Sequence, residues 1–293
     1  MRILITGGGG QLGSDCSLVL GGIHDVIVKD SKGLDITDMD AVDMAIQDYT
    51  PDIVLNCAAY TKVDMAETER KRAWDVNVEG PRNLSMSIKK HGAKLIHIST
   101  DYVFDGRRQP PEPYTEDDEP SPISYYGKTK LEGERAIMEC IDDYAIIRTA
   151  WLYGMNGHNF LKTILRLAIK DHQREIRVVN DQYGSPTWTY SLARQISIII
   201  DTDKRGIYHA TSEGYTTWYE LAVYFLNRIG IRHRIIPCTT EEYPTPARRP
   251  KNSILENKRL KEEGINIMPL WMDDIDRFVE EFGEDLIAGA NTA

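Results

Sequence analysis

The amino-acid sequence predicts an α/β protein built around a doubly wound parallel sheet. Short apolar runs alternate with longer helical segments through the first half of the chain. Strands joined by helices pair in parallel, because the crossover returns the chain to the same end of the sheet. These runs are apolar nearly throughout, which is typical of strands covered by helices on both faces. A glycine-rich run after the first strand makes the predicted sheet one of the Rossmann type.

The strands of this half are placed by their apolar runs, and the helices by their periodicity between turn residues. Strands are predicted at 3–6, 24–29, 52–56, 94–99 and 144–148. Helices are predicted at 12–20, from an N-cap at Thr37 to residue 49, at 70–91, and along the stretch that follows Tyr126. The proline- and acid-rich stretch 107–122 is predicted to be a surface loop.

The composition is that of an ordinary globular protein, with 41% hydrophobic and 27% charged residues among 293. The net charge of −10 argues against nucleic acid as a partner, because no general basic surface is present to neutralise phosphates. Four scattered cysteines show no metal-ligand spacing. The N-terminal apolar run is too short for a signal peptide, and no run approaches the roughly 20 residues that span a membrane. We therefore expect a cytoplasmic protein without a membrane partner.

The glycine-rich run 6–13 predicts a dinucleotide site. Gly7, Gly10 and Gly13 follow a strand and open a helix in the spacing Gly-x-x-Gly-x-x-Gly. Glycines there permit a tight turn and close approach of the backbone to a pyrophosphate. Gln11 and Leu12 begin the helix, whose free N–H groups favour phosphate. The expected cofactor is NADH or NADPH.

Acidic residues after the second strand are candidates for the adenosine end of the cofactor. Asp30 stands near the usual position of the carboxylate that binds a ribose, which favours NAD. Lys29 and Lys32 lie close in sequence and could instead attract a 2′-phosphate, and Asp30 could simply start a turn. Asp35 and Ile36 are alternative contacts for the adenine.

The segment after the third strand is a further candidate for the cofactor site. Ala58 and Ala59 are small side chains at the carboxyl end of a strand, where open parallel sheets bind ligands, and Tyr60 follows them. Simple packing explains two alanines equally well.

Tyr126 and Lys130 are the candidate catalytic pair. They are four residues apart in a helical pattern, so their side chains lie on one face. An ammonium beside a phenol favours the phenolate and is expected to lower the tyrosine pKa. Such a phenol could donate or accept a proton near neutral pH.

Beyond residue 150 the regular alternation loosens. Helices are predicted at 159–170, 189–200, 217–229 and 273–282, and a strand at 206–210. We expect residues 1–150 to form the dinucleotide-binding domain. Residues 151–293 are expected to form mainly a smaller substrate-binding lobe, with allowance for the chain to cross between the lobes.

Several runs together resemble the extended short-chain dehydrogenase/reductase superfamily and, within it, the dTDP-4-dehydrorhamnose reductase family. The resemblance covers nearly the whole chain. The superfamily motifs are the glycine run, Asn-Cys-Ala-Ala-Tyr-Thr at 56–61, Ser-Thr-Asp-Tyr-Val-Phe at 99–104 and Tyr-Gly-Lys-Thr-Lys at 126–130. The narrower family is indicated by the runs at 148–153, 179–187 and 245–253.

The resemblance implies reduction of the C4 ketone of a dTDP-bound 6-deoxy sugar to give dTDP-L-rhamnose. Tyr126 would then donate the proton, Lys130 would hold the nicotinamide ribose, and Thr100 would bind the keto oxygen. For the dTDP-sugar the family pattern implies Asp101, Tyr102 and Trp151, although Trp151 could instead be ordinary core packing. Arg249 could face the substrate pyrophosphate, or could pair with one of the many acids of the chain.

Some members of this family join two subunits around a magnesium ion held by glutamates. Asp15 occupies one such place, but the region 188–190 offers no acid for another. We therefore expect no metal; a homodimer of another kind remains compatible with the sequence.

Two other functions fit the same motifs. One is another nucleotide-sugar epimerase or reductase of the superfamily. The other is a non-catalytic role like that of the regulatory subunit of methionine adenosyltransferase, which resembles this group.

Overall fold

The computed structural model describes residues 1–171 and 175–292, and its centre is a six-stranded sheet. The strands are β1 Arg2–Thr6, β2 Asp25–Lys29, β3 Ile53–Asn56, β4 Lys94–Thr100, β5 Tyr144–Thr149, β6 Leu152–Tyr153, β7 Ile176–Val179, β8 Tyr183–Gly184, β9 Thr187–Trp188, β10 Gly206–His209, β11 Thr216–Thr217 and β12 Ile235–Cys238. The sheet has the order β10-β5-β4-β3-β1-β2, and all its neighbours are parallel. The predicted Rossmann-type α/β fold is confirmed.

The helices follow the predicted order. They are α1 Gln11–Gly21, α2 Met39–Tyr49, α3 Val63–Ala66, α4 Arg70–Trp74, α5 Gly80–His91, α6 Tyr125–Cys140, α7 Phe160–Lys170, α8 Thr189–Asp201, α9 Trp218–Arg228, α10 Lys258–Glu262 and α11 Trp271–Thr292. The helix predicted at 70–91 is present, but a π-helical turn at Asp75–Glu79 interrupts it. Such a turn widens the helix locally and turns side chains toward new neighbours.

The predicted N-cap of α2 is wrong by one residue. The side chain of Asp38, not Thr37, accepts a hydrogen bond from the backbone N–H of Ala41. Thr37 is engaged in the preceding turn, where its N–H and its hydroxyl both donate to Asp35. A local turn therefore competes successfully for the threonine that the sequence pattern offered as a cap.

Apolar cores cover both faces of the main sheet, as a doubly wound fold requires. On one face α1 and α8 pack against the strands, with Cys16 and Ile196 fully buried. On the other face α2, α5 and α6 supply Ile46, Leu84 and Ile137, which are also fully buried. The inner strands β1, β3, β4 and β5 are thus covered on both sides, which explains their nearly continuous apolar sequences, whereas the edge strand β2 is partly exposed.

A separate core lies in the second half of the chain, between α7, α9 and α11. Its centre contains Trp188, Phe225 and Phe278. The second half also returns to the main sheet, because β10 pairs with β5 in parallel register and α8 packs on the first core. The division into two lobes near residue 150 stays a prediction. Strand β10 and helix α8 follow residue 150 in the sequence but pack with the main sheet.

Helix α11 covers this second core with one apolar side. Its residues Ile275 and Phe278 are fully buried, whereas the exposed side carries many acids. Within residues 1–171 and 175–292, no helix is both long and apolar enough to pass through a bilayer.

A buried ion pair fixes α6 to the main sheet. Two nitrogens of Arg148 on β5 lie 3.0 and 2.7 Å from the carboxylate oxygens of Glu134 on α6. The hydroxyl of Ser99 on β4 donates to the same carboxylate at 2.5 Å. The Glu134 and Arg148 side chains are 0% and 3% exposed. Because neither partner has water as an alternative, both depend on the contact.

Glu134→Ala should therefore lower the free energy of unfolding by about 3–5 kcal/mol, since it leaves the Arg148 charge buried without its partner. The measurement is urea denaturation followed by circular dichroism. Glu132→Ala is the matched control, because its pair with Arg135 lies at the surface of the same helix and should contribute about 0–1 kcal/mol. Equal losses for the two variants would contradict the structural role of the buried pair.

Candidate active site

The glycine-rich turn brings the start of α1 against the loop that follows β3. Gly7 has a φ of +68°, and a Cβ atom there would lie 2.5 Å from the backbone nitrogen of Ala58. A Cβ at Gly13 would collide with the carbonyl oxygen of Gly7. Side chains at either position would push the loops apart, so the two glycines are needed for the turn itself.

The first turn of α1 fits the pyrophosphate of a dinucleotide. Gly10 is the N-cap and, among the described residues, no side chain caps this helix and no acid stands in its first turn. Its leading N–H groups can therefore meet an anion. Leu12 is 6% exposed and belongs to the core, so only its backbone is suited to the cofactor. The side-chain Oε1 of Gln11 accepts a hydrogen bond from Asn159 Nδ2 at 2.9 Å.

The structure gives the acids after β2 local roles in turns. Asp30 Oδ1 accepts from the backbone N–H groups of Lys32 at 3.0 Å and Gly33 at 2.8 Å. This geometry favours the turn interpretation, although the exposed carboxylate stays near the glycine run. Asp35 is held in a similar turn by Thr37.

Ile36 is only 3% exposed, and it packs where a Cβ on Gly80 would meet its side chain. The side chain belongs to the core, so only its backbone is placed to border an adenine.

The segment after β3 is fixed by its backbone. The Ala58 N–H donates to Asn56, and Ala58 and Ala59 are both half-buried. Tyr60 is buried: its N–H donates to Asn77 Oδ1 at 2.8 Å, and its hydroxyl donates to Glu69 at 3.0 Å. The Tyr60 hydroxyl is therefore already engaged within the protein.

Tyr126 lies at the carboxyl end of β4, but its environment differs from the one expected. It is 9% exposed, and its ring meets Tyr102 edge to face at 5.7 Å. Burial raises the pKa of Tyr126 above its usual value; a hydrogen bond with Thr100 lowers it and the Asp101 charge raises it further. The expectation of a lowered Tyr126 pKa is wrong, because removal of the phenol from water is the largest effect and the contribution that opposes it comes from Thr100.

Lys130 is directed toward β4. Its Nζ donates to the Ile98 carbonyl at 2.7 Å and lies 3.4 Å from His97 Nε2. Burial lowers the pKa of Lys130 to about 8, against opposing effects of Glu134 and Cys57. The pKa of Lys130 is therefore much closer to neutral pH than that of an ordinary lysine.

Thr100, Asp101 and Tyr102 continue from β4 into a tight turn. The Thr100 hydroxyl donates to Asp101 Oδ1 at 2.9 Å and accepts from the Tyr102 N–H at 3.2 Å. Burial raises the pKa of Asp101 to about 6, although bonds from Ser253 and Thr100 oppose the shift. Burial also raises the pKa of Tyr102. The buried Thr100 and Asp101 and the half-buried Tyr102 therefore gather beside Tyr126 as two hydroxyl groups and a weakly acidic carboxyl group.

Arg249 forms an ion pair, the alternative that the sequence left open. Its guanidinium nitrogens lie 3.0 and 2.8 Å from the Asp64 carboxylate oxygens. The Arg249 charge also acts on Tyr102, whose pKa it lowers against the effect of burial. The guanidinium is therefore at the border of the Tyr126 site, but held by Asp64.

Trp151 is stacked on Trp218, with ring centroids 3.5 Å apart and planes 9° from parallel. Its φ of +48° is rare for a residue with a large side chain. Gly184 lies against the other part of the indole, where a Cβ would collide with the ring. Packing thus accounts for much of the Trp151 surface.

Asp15, considered above as a metal position, accepts a hydrogen bond from the Thr189 hydroxyl. Burial raises the pKa of Asp15, and this bond opposes the shift. Within the described ranges, no group of three or more His, Cys, Asp or Glu side chains has the arrangement of a metal site. The expectation of no metal stays a prediction.

Sequence reasoning missed the buried polar groups that hold the site. Asn77, in the π-helical turn, donates to the Tyr60 carbonyl at 3.1 Å and to the Thr129 hydroxyl at 3.0 Å. His97 was also missed, although a histidine inside the apolar run of β4 is a signal that could have drawn attention. Asn77 stands in a helical pattern without such a signal.

Comparisons with known proteins identify relatives that match nearly the whole chain. The model of the family described as RmlD substrate binding domain matches residues 1–284. A dTDP-4-dehydrorhamnose reductase of Streptomyces griseus is 41% identical over 92% of this chain and 90% of its own length. The crystal structure of a dTDP-4-dehydrorhamnose reductase from Clostridium acetobutylicum is 43% identical, with a TM-score of 0.92 over 96% of this chain and 99% of that one.

A dTDP-4-dehydrorhamnose reductase from Bacillus anthracis, solved in complex with NADP, is 42% identical with the same TM-score of 0.92. It covers 96% of this chain and 99% of its own. Because the family model and these relatives span nearly the whole sequence, the chain belongs to the dTDP-4-dehydrorhamnose reductase family.

Proposed function

We propose that this protein is an NAD(P)H-dependent ketoreductase that converts dTDP-4-dehydro-6-deoxy-L-mannose (dTDP-4-dehydrorhamnose) to dTDP-L-rhamnose. The observation that carries the proposal is the meeting of the Tyr126 phenol and the Thr100 hydroxyl at the carboxyl end of β4. This is the end of the sheet where the glycine-rich turn of β1 also lies. The names of the nearly full-length relatives support the substrate.

In the proposed mechanism the reduced nicotinamide would supply a hydride to C4 of the sugar. Tyr126 donates its proton to the oxygen that becomes the new hydroxyl group. The raised pKa of the buried phenol keeps it protonated at neutral pH, as a proton donor must be. Thr100 donates a hydrogen bond to the same oxygen as negative charge develops there. To do so, the Thr100 hydroxyl must give up the hydrogen bond that it donates to Asp101.

Lys130 is proposed to hold the nicotinamide ribose. Gly7, Gly10 and Gly13 would cradle the pyrophosphate with the first turn of α1, and Ala58 and Ala59 would border the cofactor. The close approach of the glycine turn to Ala58 supports this placement. The relative crystallised with NADP supports NADPH, while NADH stays an alternative.

The substrate would lie against the groups beside Tyr126. Asp101 and Tyr102 are proposed to contact the sugar, and Trp151 to form one wall of its pocket. Arg249 is proposed to exchange part of its bonding with Asp64 for the substrate diphosphate, since a guanidinium binds both kinds of anion. A cytoplasmic location and a homodimer stay predictions.

The direct test is incubation of the purified protein with dTDP-4-dehydrorhamnose and each reduced dinucleotide. We expect one equivalent of NADPH or NADH to be oxidised per dTDP-L-rhamnose formed, measured by absorbance and by product NMR. A change of the sugar without net cofactor oxidation would instead identify an epimerase. Inactivity toward every dTDP-keto-sugar, with stable binding to a methionine adenosyltransferase, would support the regulatory role.

Tyr126→Phe should lower kcat by about 10²–10⁴, because it removes only the acidic hydroxyl. Dinucleotide affinity, measured by fluorescence titration, should change little. Tyr125→Phe is the matched control and should keep nearly full activity, since its ring packs beside Arg70. Near-normal turnover by Tyr126→Phe would exclude the phenol as the proton donor.

Asp30→Asn tests the adenosine end of the cofactor. The amide oxygen can still accept the turn hydrogen bonds from Lys32 and Gly33, but the negative charge is lost. If Asp30 faces the ribose, the ratio of kcat/KM values should move toward NADPH, because repulsion of a 2′-phosphate disappears. An unchanged ratio would leave Asp30 with its turn role alone.

A further inference from the structure

A line of buried hydrogen bonds runs from the backbone after β3 to the amine of Lys130. Asn56 Oδ1 accepts from the Thr6 hydroxyl at 2.7 Å and from the Ala58 N–H at 3.1 Å. Asn56 Nδ2 is 3.0 Å from His97 Nδ1, and His97 Nε2 is 3.4 Å from Lys130 Nζ. Asn56 and His97 are 0% exposed, so water does not compete for these contacts.

The backbone sets the direction of this line. A backbone N–H can only donate, so the Asn56 atom that faces Ala58 must be the oxygen. Its amide nitrogen therefore donates to His97 Nδ1, which must carry a lone pair. Burial holds the pKa of His97 well below its usual value, so the ring is neutral. Its single proton is then on Nε2.

The proton on His97 Nε2 determines which protonation state of Lys130 can form a hydrogen bond with the ring. An ammonium group has three N–H donors and no lone pair, so it cannot accept from His97. A neutral amine can accept this proton and still donate to the Ile98 carbonyl at 2.7 Å. The line of hydrogen bonds is therefore complete only with a neutral lysine.

Other ionisable groups also act on Lys130. Glu134, one turn along α6, and Cys57, in the loop after β3, both favour its charged form. Burial favours the neutral form and is the largest effect. His97 on β4 thus acts in the same direction as burial and against the two acidic groups.

We propose that His97 is a positioning residue for Lys130: Asn56 holds its ring as the Nε2–H tautomer, and the ring orients the lysine and favours its uncharged form over the ammonium form. The importance for catalysis rests on the proposed function, in which Lys130 neighbours the proton donor. The tautomer of His97 and the pKa of Lys130 are properties of the free chain.

The first test is NMR of the histidine rings in ¹⁵N-labelled protein without cofactor or substrate. The His97 signals are assigned by their loss in His97→Gln. We expect a neutral ring with its proton on Nε2 throughout the range from about pH 5 to pH 9, on either side of the ordinary histidine pKa. A proton on Nδ1, or a charged ring, would overturn the proposal while leaving the reductase activity itself untouched.

The second test is Asn56→Asp, which reverses the direction of the line. A carboxylate can accept from Thr6 and Ala58 but cannot donate, so His97 must place its proton on Nδ1 and offer a lone pair to Lys130. We expect the tautomer to switch, the pKa of Lys130 to rise in side-chain NMR, and the corresponding inflection in kcat/KM to move to higher pH.

The control is Asn180→Asp, which adds the same charge at the exposed site where Asn180 accepts from Thr217. It should move neither the tautomer nor the lysine. If Asn56→Asp raised the pKa of Lys130 without a tautomer switch, direct attraction between charges would explain the shift and His97 would have no part in it. If the variant failed to fold, the histidine spectrum of the unmodified protein would still decide the proposal.

Discussion

The close docking of α6 onto the carboxyl end of β4 is the constraint on which the site depends. Gly127 lets the helix approach the Tyr102 carbonyl, where any Cβ would collide, and Gly133 does the same at the Asn77 carbonyl. The ion pair of Glu134 and Arg148 holds the helix in this position from within the sheet. Tyr126 and Lys130 lose water as a result.

This loss of water determines the chemistry. The burial that raises the pKa of Tyr126 lowers that of Lys130, because each group is moved toward its neutral form. A neutral phenol suits the direction of a reduction, in which a proton must be given to a new alkoxide. Asn56 holds the ring of His97, whose Nε2 lies 3.4 Å from the buried amine of Lys130.

The fold could be predicted because its signals are local. Alternating apolar runs and helical periodicity placed the strands of the main sheet, and the glycine spacing placed the start of α1. Tyr126 and Lys130 were found from their spacing of four residues, which a helix converts into neighbours. Each of these patterns lies within a short stretch of sequence.

The features that could not be predicted depend on contacts between residues that are far apart in the sequence. Arg249 and Asp64 are 185 positions apart, so nothing local indicates their pairing. The pKa of Tyr126 was expected to fall because a charge–charge argument needs only two residues, whereas desolvation depends on every element packed around the phenol. The competition between Thr37 and Asp38 for the cap of α2 was decided by a single turn.

The most direct measurement of the central claim is the fate of deuterium from a reduced dinucleotide that carries two deuterium atoms at C4 of its nicotinamide. After incubation with dTDP-4-dehydrorhamnose, mass spectrometry and NMR of the sugar should show deuterium bonded to C4. A sugar product without deuterium at C4, or a dinucleotide that keeps both deuterium atoms while the ketone is reduced, would contradict the account.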